Sequence, residues 1–206
     1  MSTDIWPVVH AERRALAADL TGLTPDRWQT PSLCAGWTVH DVLAHMVATA
    51  KESPAQFFTG LIGSGFSFAR FTAKRIGAEK AGGPEATLAA FRAVENSTAA
   101  PPGPATSWLG EALVHAEDIR RPLGIAHGYP LASVTEVIDF YARSNVLIGG
   151  KRRVEGVTLR ATDTDWSSGT GPLVEGPAVA LMLAATGRKA ALAELTGPGV
   201  EILRGR

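Results

Sequence analysis

Apolar positions recur at helical spacing over most of the chain, and the breaks between them delimit successive helices. In residues 5–20, Ile5, Val8, Val9, Leu16 and Leu20 form a stripe, with Glu12, Arg13, Arg14 and Asp19 between them. Thr24-Pro25-Asp26 reads as a turn or a helix start, and the stretch 28–36, with Pro31 and Gly36, as irregular chain. Thr38 is a good N-cap. Asp41 stands three positions later, a capping-box arrangement with Asp replacing the usual Glu. The second helix then spans 39–51. Val39, Val42, Leu43, Met46 and Val47 supply its apolar face, and Pro54 marks its end. Between 55 and 83, Phe57, Phe58, Phe66, Phe68 and Phe71 are interleaved with glycines. This predicts a long, partly helical connection over an apolar groove. Pro84 opens a third helix with Leu88, Phe91 and Val94 as core, ending before Pro101-Pro102-Gly103-Pro104. A fourth helix covers 107–121, ended by Pro122. A fifth covers 133–147, with Val134, Val137, Ile138, Tyr141 and Val146 as apolar positions.

After Gly149-Gly150 the pattern changes. Val154, Val157 and Leu159 alternate with polar residues as in a strand, and Lys151-Arg152-Arg153 reads as a solvated linker. The stretch 163–171 is rich in Gly, Ser and Thr and reads as a turn or loop. PAVALMLAATG at 177–187 reads as a compact apolar helix closed by Gly187. The expected organisation is therefore a mainly α protein: a helical body over residues 1–150 and a small α/β region over 151–206. There is no fixed-period repeat.

Composition narrows the function classes. Hydrophobic residues make up 45 % of the 206 and charged residues 19 %, enough apolar surface for a proper core. Lys+Arg and Asp+Glu balance at 20 each, so no net field steers the protein to nucleic acid or an anionic membrane. The lone cysteine, Cys34, excludes an internal disulfide and any multi-cysteine zinc site, and fits a cytoplasmic location. The segment MSTDIWPVVHAERR has no basic n-region or apolar h-region, so no signal peptide is expected. No apolar run reaches the roughly 18 residues of a membrane span.

The residues that suggest chemistry lie on the second and fourth helices. Glu111 and His115 stand at i and i+4, so both side chains leave one helix face, about 6 Å apart at Cβ. A carboxylate and an imidazole so placed can bind one metal ion. Asp118 falls near the same stripe and can orient His115 from behind. His45 lies in apolar surroundings, Leu43-Ala44-His45-Met46. If the two helices are neighbours, His45, Glu111 and His115 form a His₂-carboxylate set with a coordination position left open. Otherwise each is an ordinary core or surface residue. His10, His40 and His127 have no comparable partners, and His40 reads as an exposed first-turn residue. Cys34 reads mainly as a packing residue. Asp163 and Asp165 resemble a cation loop only faintly, and no phosphate loop or G-x-S-x-G element is present.

The segment 32–46 (SLCAGWTVHDVLAHM) resembles the C-x-G-W-T-V-x-D-V-x-A-H signature of the mycothiol-dependent maleylpyruvate isomerase family, part of the DinB-like superfamily. The segment 110–124 (GEALVHAEDIRRPLG) is similar to its second signature, E-x-x-x-H-x-x-D-I-R-R-P-L-G. LRATDTDW, GPA and TGR in the tail are similar to its C-terminal region. The resemblance implies an up-and-down four-helix bundle holding a divalent metal, most simply zinc, on His45, Glu111 and His115. It implies an enzyme using mycothiol as cosubstrate on a small electrophilic substrate, as an isomerase or S-transferase. Asp118 is the expected supporting residue. Arg188 is an expected anion-binding residue, because arginine grips carboxylates in bidentate fashion. A metal-dependent hydrolase or lyase on the same bundle, and a non-catalytic metal- or ligand-binding protein, are the alternatives.

Overall fold

The computed structural model describes residues 4–145 and 148–206. They fall into two compact units, Met1–His127 and Gly128–Arg206.

The first unit contains α1 (Trp6–Asp19), α2 (Val39–Lys51), α3 (Pro54–Gly63), α4 (Phe68–Lys80), α5 (Gly83–Ala93) and α6 (Ala105–Arg120). Four of them close a ring: α1 packs on α6, α6 on α2, α2 on α5 and α5 on α1. Together they form a four-helix bundle, as the resemblance implies. Its core includes Leu16, Leu20, Trp28, Leu43, Val47, Leu88, Phe91 and Ile119. Each aliphatic side chain buried there stabilises the fold by about 1.5–3 kcal/mol. α2 begins where the sequence places it. The Thr38 hydroxyl accepts from the Asp41 amide at 3.2 Å, and the Asp41 carboxylate accepts from the Thr38 amide at 2.8 Å. Two donors at the helix start are thereby satisfied.

The region 55–83 is more regular than its sequence suggests. It forms two helices, and α4 packs along α2. The Ser53 hydroxyl caps α3 and the Ser67 hydroxyl caps α4. α3 buries none of its side chains, and Phe58, Ile62, Phe66 and Phe68 are exposed. The glycines between the phenylalanines blur the helical period without preventing the helices.

The second unit contains α7 (Leu131–Arg143), α8 (Gly150–Val154), β1 (Thr158–Ala161), β2 (Ser167–Gly169), β3 (Leu173–Gly176), α9 (Ala178–Ala185) and α10 (Val200–Arg204). Its sheet has the order β2-β1-β3. β1 pairs antiparallel with β2, Leu159 opposite Ser168, and parallel with β3, Leu159 opposite Val174. Several expectations change here. α7 buries Val134, Val137, Ile138 and Tyr141 and packs on α9, so the expected boundary at residue 150 falls inside the second unit. α7 ends at Arg143; Val146 and Leu147 lie outside the described residues. The basic run at 151–153 is helical, within α8, and Val154 belongs to that helix instead of to a strand. β2 lies inside the stretch read as a loop. It is an exposed Ser-Ser-Gly edge with no apolar alternation, specified by its hydrogen bonds to β1. α9 closes as expected at Gly187, whose φ of +90° suits glycine. Among the described residues no helix is long and apolar enough to cross a membrane.

Candidate metal centre

α2 and α6 are neighbours in the ring, and their contact decides the site. It brings His45 of α2 to Glu111 and His115 of α6, one potential ligand atom of each lying within 4.8 Å of the others. The two imidazoles are 5.0 Å apart between centroids and nearly perpendicular. All three side chains are partly exposed, so an ion or a small molecule can reach them.

Behind them lies Asp118, fully buried. Its Oδ2 accepts from His115 Nδ1 at 2.8 Å and from the Cys34 thiol at 3.1 Å. With Nδ1 held by Asp118, Nε2 is the atom of His115 left to meet a ligand, and a cation bound there would displace its proton. The loop carrying Cys34 is docked on the end of α6: the Leu33 amide donates to the Asp118 carbonyl at 3.2 Å. Gly36, at φ +79°, and the 3.0 Å bond from the Trp37 amide to the Cys34 carbonyl turn this loop. The turn lays the Trp37 ring 5.2 Å from His45 and 6.5 Å from His115. An indole against two imidazoles excludes water from that side of the site.

The electrostatics separate the two histidines. Burial pushes His45 down to about 3, helped by the positive charges of His115 and Arg75 and opposed by Asp118. His45 therefore stands as a neutral imidazole with a lone pair to give. Burial also works to lower His115, but the hydrogen bonds with Asp118 and Cys34 outweigh it and raise the group to about 10. Burial raises Glu111, against the attraction of His115 and of Arg13. Arg13 is buried on α1, its Nη1 donating to the carbonyls of Ser97 at 2.8 Å and Val94 at 3.3 Å.

A divalent cation fits this donor set. Glu111 Oε1 is buried without a hydrogen-bond partner, a cost of about 1–3 kcal/mol for an unsatisfied acceptor, and more for a charged one. Two imidazoles and one carboxylate are hard-to-borderline ligands suited to zinc. Cys34, His115 and Asp118 form a second group at compatible distances, sharing His115, but these atoms are hydrogen-bonded to one another.

The remaining candidates are placed as follows. Cys34 is part of the polar network behind His115 as well as a packing residue. Neither this role nor that of Trp37 was legible from spacing, since both depend on loop docking. His40 is buried, not exposed: its Nε2 donates to the Thr87 hydroxyl at 2.9 Å, because α5 covers the first turn of α2. His10 bonds the Ser97 carbonyl, and His127 the Glu12 carboxylate at 2.8 Å. The Asp163 carboxylate accepts from the Ala178 amide at the start of α9, a structural role. Arg188 lies in the second unit, where its Nη1 donates to the Thr186 carbonyl at 2.9 Å.

Fold and donors together define the class: a DinB-like helical bundle with a His-Glu-His cluster between two of its helices. The chain belongs to the mycothiol maleylpyruvate isomerase N-terminal domain family, whose model matches residues 9–120. Two solved structures share its fold. The crystal structure of the mycothiol-dependent maleylpyruvate isomerase aligns with a TM-score of 0.68 at 14 % identity, covering 94 % of this chain and 91 % of that one. A histidine-to-alanine mutant of that enzyme aligns with a TM-score of 0.66 at 14 % identity and the same coverage. A search of curated proteins finds no match.

Proposed function

We propose that the protein is a divalent-metal enzyme that uses a low-molecular-weight thiol, mycothiol, to isomerise or S-modify a small electrophilic molecule in the cytoplasm. The observation that carries this reading is the unpartnered, buried Glu111 Oε1 beside a neutral His45 and an oriented His115. His45, Glu111 and His115 would hold the ion. A cation at this position supplies Lewis acidity, which favours the thiolate form of a thiol within reach.

The chain's own residues do the rest. Asp118 fixes the ring of His115 and keeps its proton on Nδ1. Trp37 walls the site and limits the water that can compete with the thiol. The nucleophile comes from solution, since the thiol of Cys34 points to Asp118. In an isomerisation the sulfur of the cosubstrate adds to a cis double bond, the adduct rotates about the resulting single bond, and the sulfur leaves. No atom is gained or lost, and the thiol is regenerated. Arg188, in the second unit, is proposed as an anion-binding residue on its own chemistry.

The test combines metal analysis of the purified, untagged protein with turnover of maleylpyruvate and related cis-enedioates, with and without mycothiol. Turnover that requires both metal and thiol supports the reading. Metal-dependent activity that persists without any thiol would replace it with hydrolysis by water.

A further inference from the structure

The second unit contains a hollow of about 250 Å³ that the proposed reaction does not use. Arg153, Lys189 and Arg206 line it, and Ala184, Leu192 and Leu203 form its apolar floor. No acidic side chain lines it. We propose that this hollow is a binding pocket for a small molecule with a compact dianionic head, a phosphate or a dicarboxylate, whose carbon portion lies on the apolar floor.

Three observations carry this. First, among the described residues no Asp or Glu side chain pairs with any of the three cations. Arg153 Nη1 donates to the Ile148 carbonyl, Lys189 Nζ to that of Arg204 at 3.1 Å, and Arg206 Nη1 to those of Arg152 and Arg153 at 3.0 and 2.8 Å. The acid on α10, Glu201, is already paired with Arg204. Three like charges around one hollow repel, and a bound anion removes that repulsion. Second, donors remain available: among the described residues Arg153 gives one of its five N–H groups to a protein acceptor, and Lys189 one of three. Third, the backbone is shaped to admit the guanidinium. Gly187 has φ +90°, and a Cβ there would lie 2.9 Å from Arg153 Nε. The glycine that ends α9 thus lets Arg153 lie flat against the turn.

Arg188 does not line this hollow, although both of its chain neighbours do. The pocket is therefore separate from any role of Arg188. Arginine beside lysine suits a compact dianion better than chloride, because the planar fork makes paired hydrogen bonds. The volume admits a head group with a few carbons and excludes a folded polymer.

The test is isothermal titration of the full-length protein, as purified, with inorganic phosphate and separately with succinate, at constant ionic strength set by sodium chloride. Saturable binding of at least one dianion is expected. Lys189→Gln and Arg206→Gln, both at exposed positions, should each weaken it about tenfold, as for loss of one charged hydrogen bond. The double variant should abolish it, with the circular dichroism spectrum unchanged. A preference for phosphate assigns a phosphorylated ligand, and a preference for succinate a dicarboxylate. Absence of saturable binding for both anions, or binding unchanged in the double variant, overturns the proposal.

Discussion

Asp118 Oδ2 lies 2.8 Å from His115 Nδ1, inside the bundle and sealed from solvent. The carboxylate belongs to the same turn of α6 as the histidine it holds, so orientation of the ring is built into one helix. Asp118→Asn keeps the shape and loses the charge. Its amide can also present nitrogen to Nδ1 and favour the wrong tautomer. A loss of about 10–100-fold in metal affinity or turnover is expected. Competition with a chromophoric chelator measures it. Wild-type affinity in this variant would remove Asp118 from the site.

One divalent ion per chain is expected in protein purified without added metal or a histidine tag. His45→Ala and His115→Ala should each lose most of it, and Glu111→Gln should lower occupancy, because an amide is a poorer ligand for a dication than a carboxylate. Elemental analysis decides. Equal metal content in wild type and all three variants would refute the donor assignment.

Cys34 tests where the nucleophile comes from. Its thiol donates to Asp118, a bond that a serine hydroxyl can replace. Cys34→Ser should retain turnover close to wild type. Cys34→Ala removes one neutral donor and should cost no more than about tenfold, the equivalent of one hydrogen bond. A severe loss in Cys34→Ser, with fold and metal retained, would make Cys34 the nucleophile and remove the need for a thiol cosubstrate.

His40 predicts a pH dependence of stability. Burial lowers its pKa below the ordinary 6.5, with the Lys80 charge acting in the same direction and Asp41 against it. The unfolded chain therefore binds a proton on this residue at a pH where the folded chain does not. Its contribution is complete above about pH 6.5 and is lost as pH falls below that value, until the folded form is protonated too. His40→Gln, which keeps a donor for Thr87, should flatten the stability curve below about pH 6.5 and leave it unchanged at pH 8. Urea unfolding at a series of pH values measures this. An identical slope in the variant would contradict it.

Much of the first unit was legible because helix geometry and capping are local. The reciprocal bonds of Thr38 and Asp41 start α2 at the expected residue. The spacing of Glu111 and His115 puts both on one face of α6 wherever that helix packs. The α3–α4 segment was less legible, since its glycines dilute the apolar period. β2 was illegible, since an exposed Ser-Ser-Gly edge becomes a strand only through its partner.

What the sequence by itself determined is the set of helices in the bundle and the donor types they carry, because a 3.6-residue repeat and an N-cap act over a few residues. Tertiary structure alone decided that α2 and α6 are adjacent, which converts His45 from one apolar-flanked histidine into the third donor. It also decided that the Cys34–Trp37 loop docks on Asp118, that His40 is covered by α5, and that α7 belongs with the second unit. Each of these joins residues far apart in the chain. The free energy that selects such a contact comes from closing apolar faces against each other, and no local pattern specifies which face meets which.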